Sequence, residues 1–297
     1  MKPRIAIPMP HGMDLEYAER AILQYERAVE LAGGEPVRIA LGQAPAEVKM
    51  AVQHCAAVLL PGSKADVDPA RFHAPRWPQT AAADPRRDAV DDLLLDDAYR
   101  LRKPLLGICY GLQSLNAYRG GSLIQHIPDF LPEETRDKVN HEAGKAVAVA
   151  HNVEIEPRSL LAEIVRGNSR PRLSGRTQLG GPRQAAKSVP LVQDREGEGL
   201  SRAEFAETDC NPFAAEGRLV IPVNSSHHQS AEVVGEGLRV VARCHEDSII
   251  EALEGTAPDH FVLAVQWHPE RSVEQDEPSR SIFRALIEAA SELDKKE

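Results

Sequence analysis

The stretch LLGICYGLQSLNAYRGGSLI, running from Leu105 to Ile124, changes its periodicity in the middle. Leu105 to Ile108 is a short apolar run of the kind a fully buried strand makes, and from Tyr110 onward the residues read as the start of a helix. A thiol, Cys109, stands at the junction. A strand feeding directly into a helix is half of a βα unit, and the same alternation extends outward from it. Toward the N-terminus, RIAIPMP (4–10), PVRIAL (36–41), AAVLLPG (56–62) and PLLGIC (104–109) read as strands. Between them LEYAERAILQYERAVELAGG (15–34), PAEVKMAVQHC (45–55) and DPRRDAVDDLLLDDAYRLRK (84–103) read as helices, the first closed by glycine and the last carrying a basic final turn. Repeated βα units predict an α/β protein with a mostly parallel central sheet flanked by helices on both faces, with sites at the carboxyl ends of its strands.

Beyond Gly121 the pattern changes. KAVAVAHNVEIEP (145–157) alternates in the strand manner, and SLLAEIV (159–165) is a short helix with Ser159 as its cap. The residues from about 168 to 216 are rich in Arg, Gly, Pro and Ser with little periodicity, and read as a flexible surface insertion, a lid being the alternative. Strands resume at RLVIPV, LRVVARC, SIIEALEG and FVLAVQW, and SRSIFRALIEAASEL closes the chain as a helix. The whole reads as a single domain, 1–297, carrying one insertion.

The 297 residues have a net charge of −10, which argues against nucleic-acid or anionic-membrane surfaces. The N-terminal stretch lacks the apolar core of a signal peptide, and no run approaches a membrane span, so a cytoplasmic location is expected. Cys55, Cys109, Cys210 and Cys244 are scattered without a CxxC or pairing pattern, which argues against a disulfide scaffold or a zinc site.

A thiol at a sharp strand-to-helix turn is held out of the sheet, above the unpaired N–H groups of the helix start, a setting suited to an anionic nucleophile. Such a nucleophile needs a base, and the base an orienter. FVLAVQWHPE ends the last apolar strand with His268, Pro269 and Glu270. In extended chain, residues two apart point the same way, which predicts that His268 and Glu270 lie side by side. An oxyanion needs donors: the backbone N–H of Tyr110 is one, and Gly62 in LLPGSKADVDP supplies the other.

GICYGLQSLN, VQWHPE and LLPGS together resemble the class I glutamine amidotransferase superfamily, whose triad is Cys, His and Glu in this chain order. The stretches PGSKADVDP, ADPRRDAVDDLLLDDA, GGSLIQHI and VNSSHHQS narrow the resemblance to its γ-glutamyl-γ-aminobutyrate hydrolase branch, over nearly the whole chain outside 168–216. The resemblance implies a flavodoxin-like three-layer sandwich, with Cys109 as nucleophile, His268 as general base and acid, and Glu270 as its partner. It implies hydrolysis of a γ-glutamyl amide through a thioester, within polyamine or putrescine catabolism, with no metal or organic cofactor. The branch carries Arg after the nucleophile where this chain has Tyr110, so a positive charge beside the sulfur is lost. Ser63, Gln113, His227, His228 and Gln229 are expected to contact or support substrate, although adjacent histidines in a turn commonly face solvent. His126, His141 and His151 read as structural. The alternatives are a glutaminase subunit delivering ammonia to a synthase, and a non-catalytic thiol-sensing relative. A homodimer is compatible with the sequence.

Overall fold

The computed structural model describes residues 2–167 and 219–293; the expected insertion at 168–216, with Cys210, lies outside them. Eleven strands are described: β1 (Arg4–Pro8), β2 (Glu35–Ile39), β3 (Ala57–Leu60), β4 (Leu105–Ile108), β5 (Leu123–Ile124), β6 (His151–Ile155), β7 (Leu219–Val223), β8 (Ser230–Ala231), β9 (Leu238–Cys244), β10 (Ile250–Gly255) and β11 (Val262–Val265). The helices are α1 (Leu15–Leu31), α2 (Pro45–Val52), α3 (Pro85–Leu101), α4 (Tyr110–Tyr118), α5 (Ile127–Phe130), α6 (Glu133–Arg136), α7 (Leu160–Val165) and α8 (Glu277–Leu293). Nine strands form one sheet in the order β2-β1-β3-β4-β11-β10-β9-β6-β7, and β5 pairs with β8 separately.

The first five strands of that order run parallel, as the βα alternation predicts. From β11 onward each neighbour is antiparallel. The parallel strands are buried on both faces, so successive residues serve opposite layers. Ile5, Ile7, Leu59, Leu106 and Ile108 pack with α1, α7 and α8, while Ala6, Val58, Leu60 and Leu105 pack with α2, α3 and α4. This is the expected three-layer arrangement. One strand is shorter than its alternation suggests: Lys145–Ala150 alternate in polarity yet lie outside β6, which begins at His151. Ser159 does cap α7, accepting from the Ala162 N–H at 3.0 Å. No described helix is long and apolar enough to cross a membrane.

The tightest packing lies where β4 meets α4. A Cβ on Gly111 would stand 2.2 Å from the Leu60 carbonyl oxygen, and one on Gly107 would stand 2.9 Å from the Gly111 backbone. Only glycine lets α4 leave β4 this close to β3.

Candidate active site

Strands β4 and β11 are parallel neighbours, with Ile108 opposite Val265, and their carboxyl ends lead to Cys109 and His268. The Cys109 N–H donates to the Val265 carbonyl at 2.8 Å, extending the ladder by one bond. Cys109 then takes φ 53° and ψ −105°, a left-handed conformation that a non-glycine residue adopts at a cost of order 1–3 kcal/mol. That turn lifts the sulfur off the sheet at the head of α4, whose Leu112 and Gln113 N–H groups donate to the Cys109 carbonyl.

His268 is reached three residues past Val265. Its Nδ1 lies 2.7 Å from Glu270 Oε1, and the Cys109 side chain acts on its ring from the other side of the cleft floor. Cys109, His268 and Glu270 therefore converge. The route differs from the extended-chain expectation: Pro269–Arg271 form a single 3-10 turn, so Glu270 curls back to the imidazole instead of pointing beside it along a strand. Burial lowers the affinity of His268 for its proton, but the charges of Glu270 and Cys109, with their hydrogen bonds, push its pKa up to about 9. Burial likewise opposes ionisation of Glu270, yet His268 and Arg271 hold its carboxyl below the usual range.

Asn224 fixes the histidine's backbone, a role that its sequence context does not announce. Its Nδ2 donates to the His268 carbonyl at 2.9 Å and its Oδ1 accepts from the His268 N–H at 3.0 Å. The one signal in the chain is its place in VNSSHHQS, three residues before His227.

The triad opens into a cleft of about 700 Å³ lined by Ser63, Gln113, His227, His228 and Gln229, the five positions expected to meet substrate. Several are already engaged. The Gln113 amide donates to the Gln229 carbonyl at 3.1 Å and to Gln266 Oε1 at 3.3 Å, and the Gln229 amide donates to the Gln125 carbonyl. The Ser63 hydroxyl accepts from the Ala65 N–H. His228 hydrogen-bonds Asp66 at 3.0 Å and is half-buried. His227 departs from the solvent-facing expectation: it is buried and its Nε2 faces Glu251.

The two expected oxyanion donors stand in different settings. The Tyr110 N–H heads α4 as expected, but the Gly62 N–H already donates to the Tyr25 hydroxyl at 3.0 Å. Gly62 itself must stay bare, because a Cβ there would lie 3.0 Å from the His268 ring and 3.6 Å from Cys109 Cβ. The Tyr110 side chain points out of the cleft into an apolar cluster with Ala65, Val67, Ala117 and Leu123, and its hydroxyl hydrogen-bonds Asp88. Its ring lies 4.9 Å from the buried Arg87 guanidinium. Cationic residues around the cleft come instead from Arg20, Lys64 and Arg271.

The chain is similar to several known proteins. A "Putative glutamine amidotransferase" of Mycobacterium tuberculosis is 31% identical over 268 residues, covering 90% of this chain; the chain spans 66% of that relative's length. A "Gamma-glutamyl-gamma-aminobutyrate hydrolase" of Escherichia coli O157:H7 is 28% identical over 90% of this chain and 84% of its own. Among solved structures, a "putative GMP synthase" component of Thermoplasma acidophilum shares the fold, with a TM-score of 0.56 and 12% identity over 100% of this chain and 98% of that one. Residues 9–175 and 212–270 match the peptidase C26 family, and the chain belongs to it, within the glutamine amidotransferase-like proteins.

Proposed function

We propose that the protein hydrolyses the γ-glutamyl amide bond of a small γ-glutamyl compound, with Cys109 as nucleophile. The observation that carries this reading is the left-handed Cys109 beside an imidazole whose Nδ1 is held by a buried carboxylate, at the floor of an open cleft. The γ-glutamyl preference rests on the hydrolase relatives at 28% identity. The sulfur attacks the γ-carbonyl carbon, forming the C–S bond. The oxyanion is taken by the Tyr110 N–H and by the Gly62 N–H once it leaves the Tyr25 hydroxyl. His268 gives its proton to the amine nitrogen as the C–N bond breaks, leaving a γ-glutamyl thioester. His268 then takes a proton from water, which attacks the thioester carbon and releases glutamate, leaving the thiolate and a protonated His268 as at the start. Glu270 keeps the imidazole in the required orientation and stabilises its charged form throughout.

A panel of γ-glutamyl amides, including γ-glutamyl-γ-aminobutyrate, γ-glutamyl-p-nitroanilide and glutamine, tests the reading by product analysis. Release of glutamate with the free amine from the first two is expected. Turnover of glutamine alone, rising when a synthase is added, would replace this reading with that of an ammonia-delivering subunit.

The acid role of His268 has a pH signature. Because its folded pKa lies near 9, the proton it donates is present through neutrality and lost above that value. The kcat/KM for γ-glutamyl-p-nitroanilide should therefore hold from neutral pH and fall above about pH 9. Glu270→Gln removes a charge that supports the imidazolium, and should move the alkaline limb down by roughly one unit or more. An alkaline limb unmoved by that substitution would show that the imidazole is not the group being read.

A further inference from the structure

Behind the cleft wall lies a second cluster that the hydrolysis does not use. His141, His151, His227 and Glu251 come from four separate segments: the loop after α6, the first residue of β6, the turn between β7 and β8, and β10. All four are buried, with side chains no more than 3% exposed. Each offers one ligand atom, and the four atoms lie within 4.8 Å of one another.

Three of the six edges among these atoms are short. Glu251 Oε1 is 3.2 Å from His141 Nδ1, 3.3 Å from His151 Nε2 and 3.4 Å from His227 Nε2. Zinc bonded to nitrogen and oxygen at about 2.0–2.1 Å in tetrahedral geometry sets its ligands about 3.3–3.4 Å apart. The three distances fall at that edge length.

The outer nitrogens decide where the protons are. His141 Nε2 faces Asp247 Oδ2 at 2.8 Å, His151 Nδ1 faces the Asn152 carbonyl at 3.2 Å, and His227 Nδ1 faces the Gln229 carbonyl at 2.9 Å. Carboxylates and carbonyls accept only, so each outer nitrogen carries a proton, and a ring that gives up its inner proton turns a lone pair inward. Three inward nitrogens then meet a carboxylate in a buried site. His141 Nδ1, His227 Nε2 and both Glu251 oxygens have no hydrogen-bond partner there. The Ser225 hydroxyl reaches His151 Nε2 at 2.7 Å and would turn its proton aside for a ligand. Metal-bound histidines characteristically donate their other N–H to a carboxylate or backbone carbonyl in this way.

We propose that His141, His151, His227 and Glu251 form a closed, four-ligand site for a divalent transition metal, zinc by donor set and geometry. A site with four protein ligands is structural. Its effect reaches the catalytic group through one loop: His227 is tied to the metal, Gln229 shares its carbonyl with His227 and Gln113, and Asn224 holds the His268 backbone. The metal thus anchors the cleft wall without touching substrate. The spacing of ligands at 141, 151, 227 and 251 contains no local motif, which is why the sequence argues against a zinc site.

Metal content decides the matter independently of the hydrolytic reading. Untagged Cys109→Ser protein, saturated with zinc and dialysed, should hold about one zinc per chain by elemental analysis, since the catalytic sulfur is then absent. His151→Ala and Glu251→Gln should lose it, and a chelator should lower the Tm of the parent. Cobalt added to metal-free protein should give the visible absorption of a tetrahedral centre, a readout that does not depend on those variants folding. Retention of far less than one metal per chain by folded Cys109→Ser protein, with no tetrahedral cobalt spectrum, overturns the proposal; the cluster is then a proton-bridged histidine network. Zinc bound without any γ-glutamyl hydrolysis leaves the site standing and removes only the substrate assignment.

Discussion

Cys109→Ala will lower hydrolysis of γ-glutamyl-p-nitroanilide by several orders of magnitude, on the order of 10⁴-fold or more, the scale reached when a nucleophile acting as one unit with its base is removed. The physical reason is that the acyl-enzyme no longer exists as a path: His268 and Glu270 remain, but their proton has no thioester chemistry to serve. The fold should survive, because Cys109 contributes only a small side chain at the floor of the cleft, and alanine is no worse than cysteine at its left-handed backbone. Near-native turnover by a folded Cys109→Ala protein would leave no role for the triad geometry. Mass spectrometry of the parent enzyme quenched during turnover gives the complementary test, since a γ-glutamyl adduct on Cys109 is expected.

Arg87→Met should produce the largest loss of stability among single charge removals, about 3–5 kcal/mol by urea unfolding, because a buried ion pair broken from one side leaves an uncompensated charge. Arg87 is fully buried on α3; it donates from Nε to Asp91 at 2.6 Å and from its two terminal nitrogens to the carbonyls of Pro10 and Pro61. Burial alone pushes the Asp91 carboxyl up, and Arg87 is what opposes it. Methionine fills the volume but strands the carboxylate and both carbonyls. The double variant Arg87→Met/Asp91→Leu should recover a substantial part of the loss, since the desolvated charge is then gone. A change below 1 kcal/mol in the single variant would show that the pair contributes little. Pro61 precedes Gly62, so the single variant should also slow catalysis.

The parallel half of the sheet and the three residues Cys109, His268 and Glu270 that the fold brings together are legible in the linear chain. Strand and helix periods are local, two and 3.6 residues, and the runs 4–10, 36–41, 56–62 and 104–109 show them without help from the rest of the molecule. Cys109 and His268 stand out because each ends an apolar strand, and parallel strands present their carboxyl ends together. Other features arise only once the chain is packed. The 3-10 turn that curls Glu270 onto His268, the capture of the Gly62 N–H by Tyr25 and the burial of Tyr110 against Arg87 all depend on which side chains compete for the same space. The antiparallel strands β10, β9, β6 and β7 bring His151, His227 and Glu251 together from positions far apart in the chain. Contacts of that kind are set by sheet order and register, and a pattern confined to neighbouring residues carries no information about them.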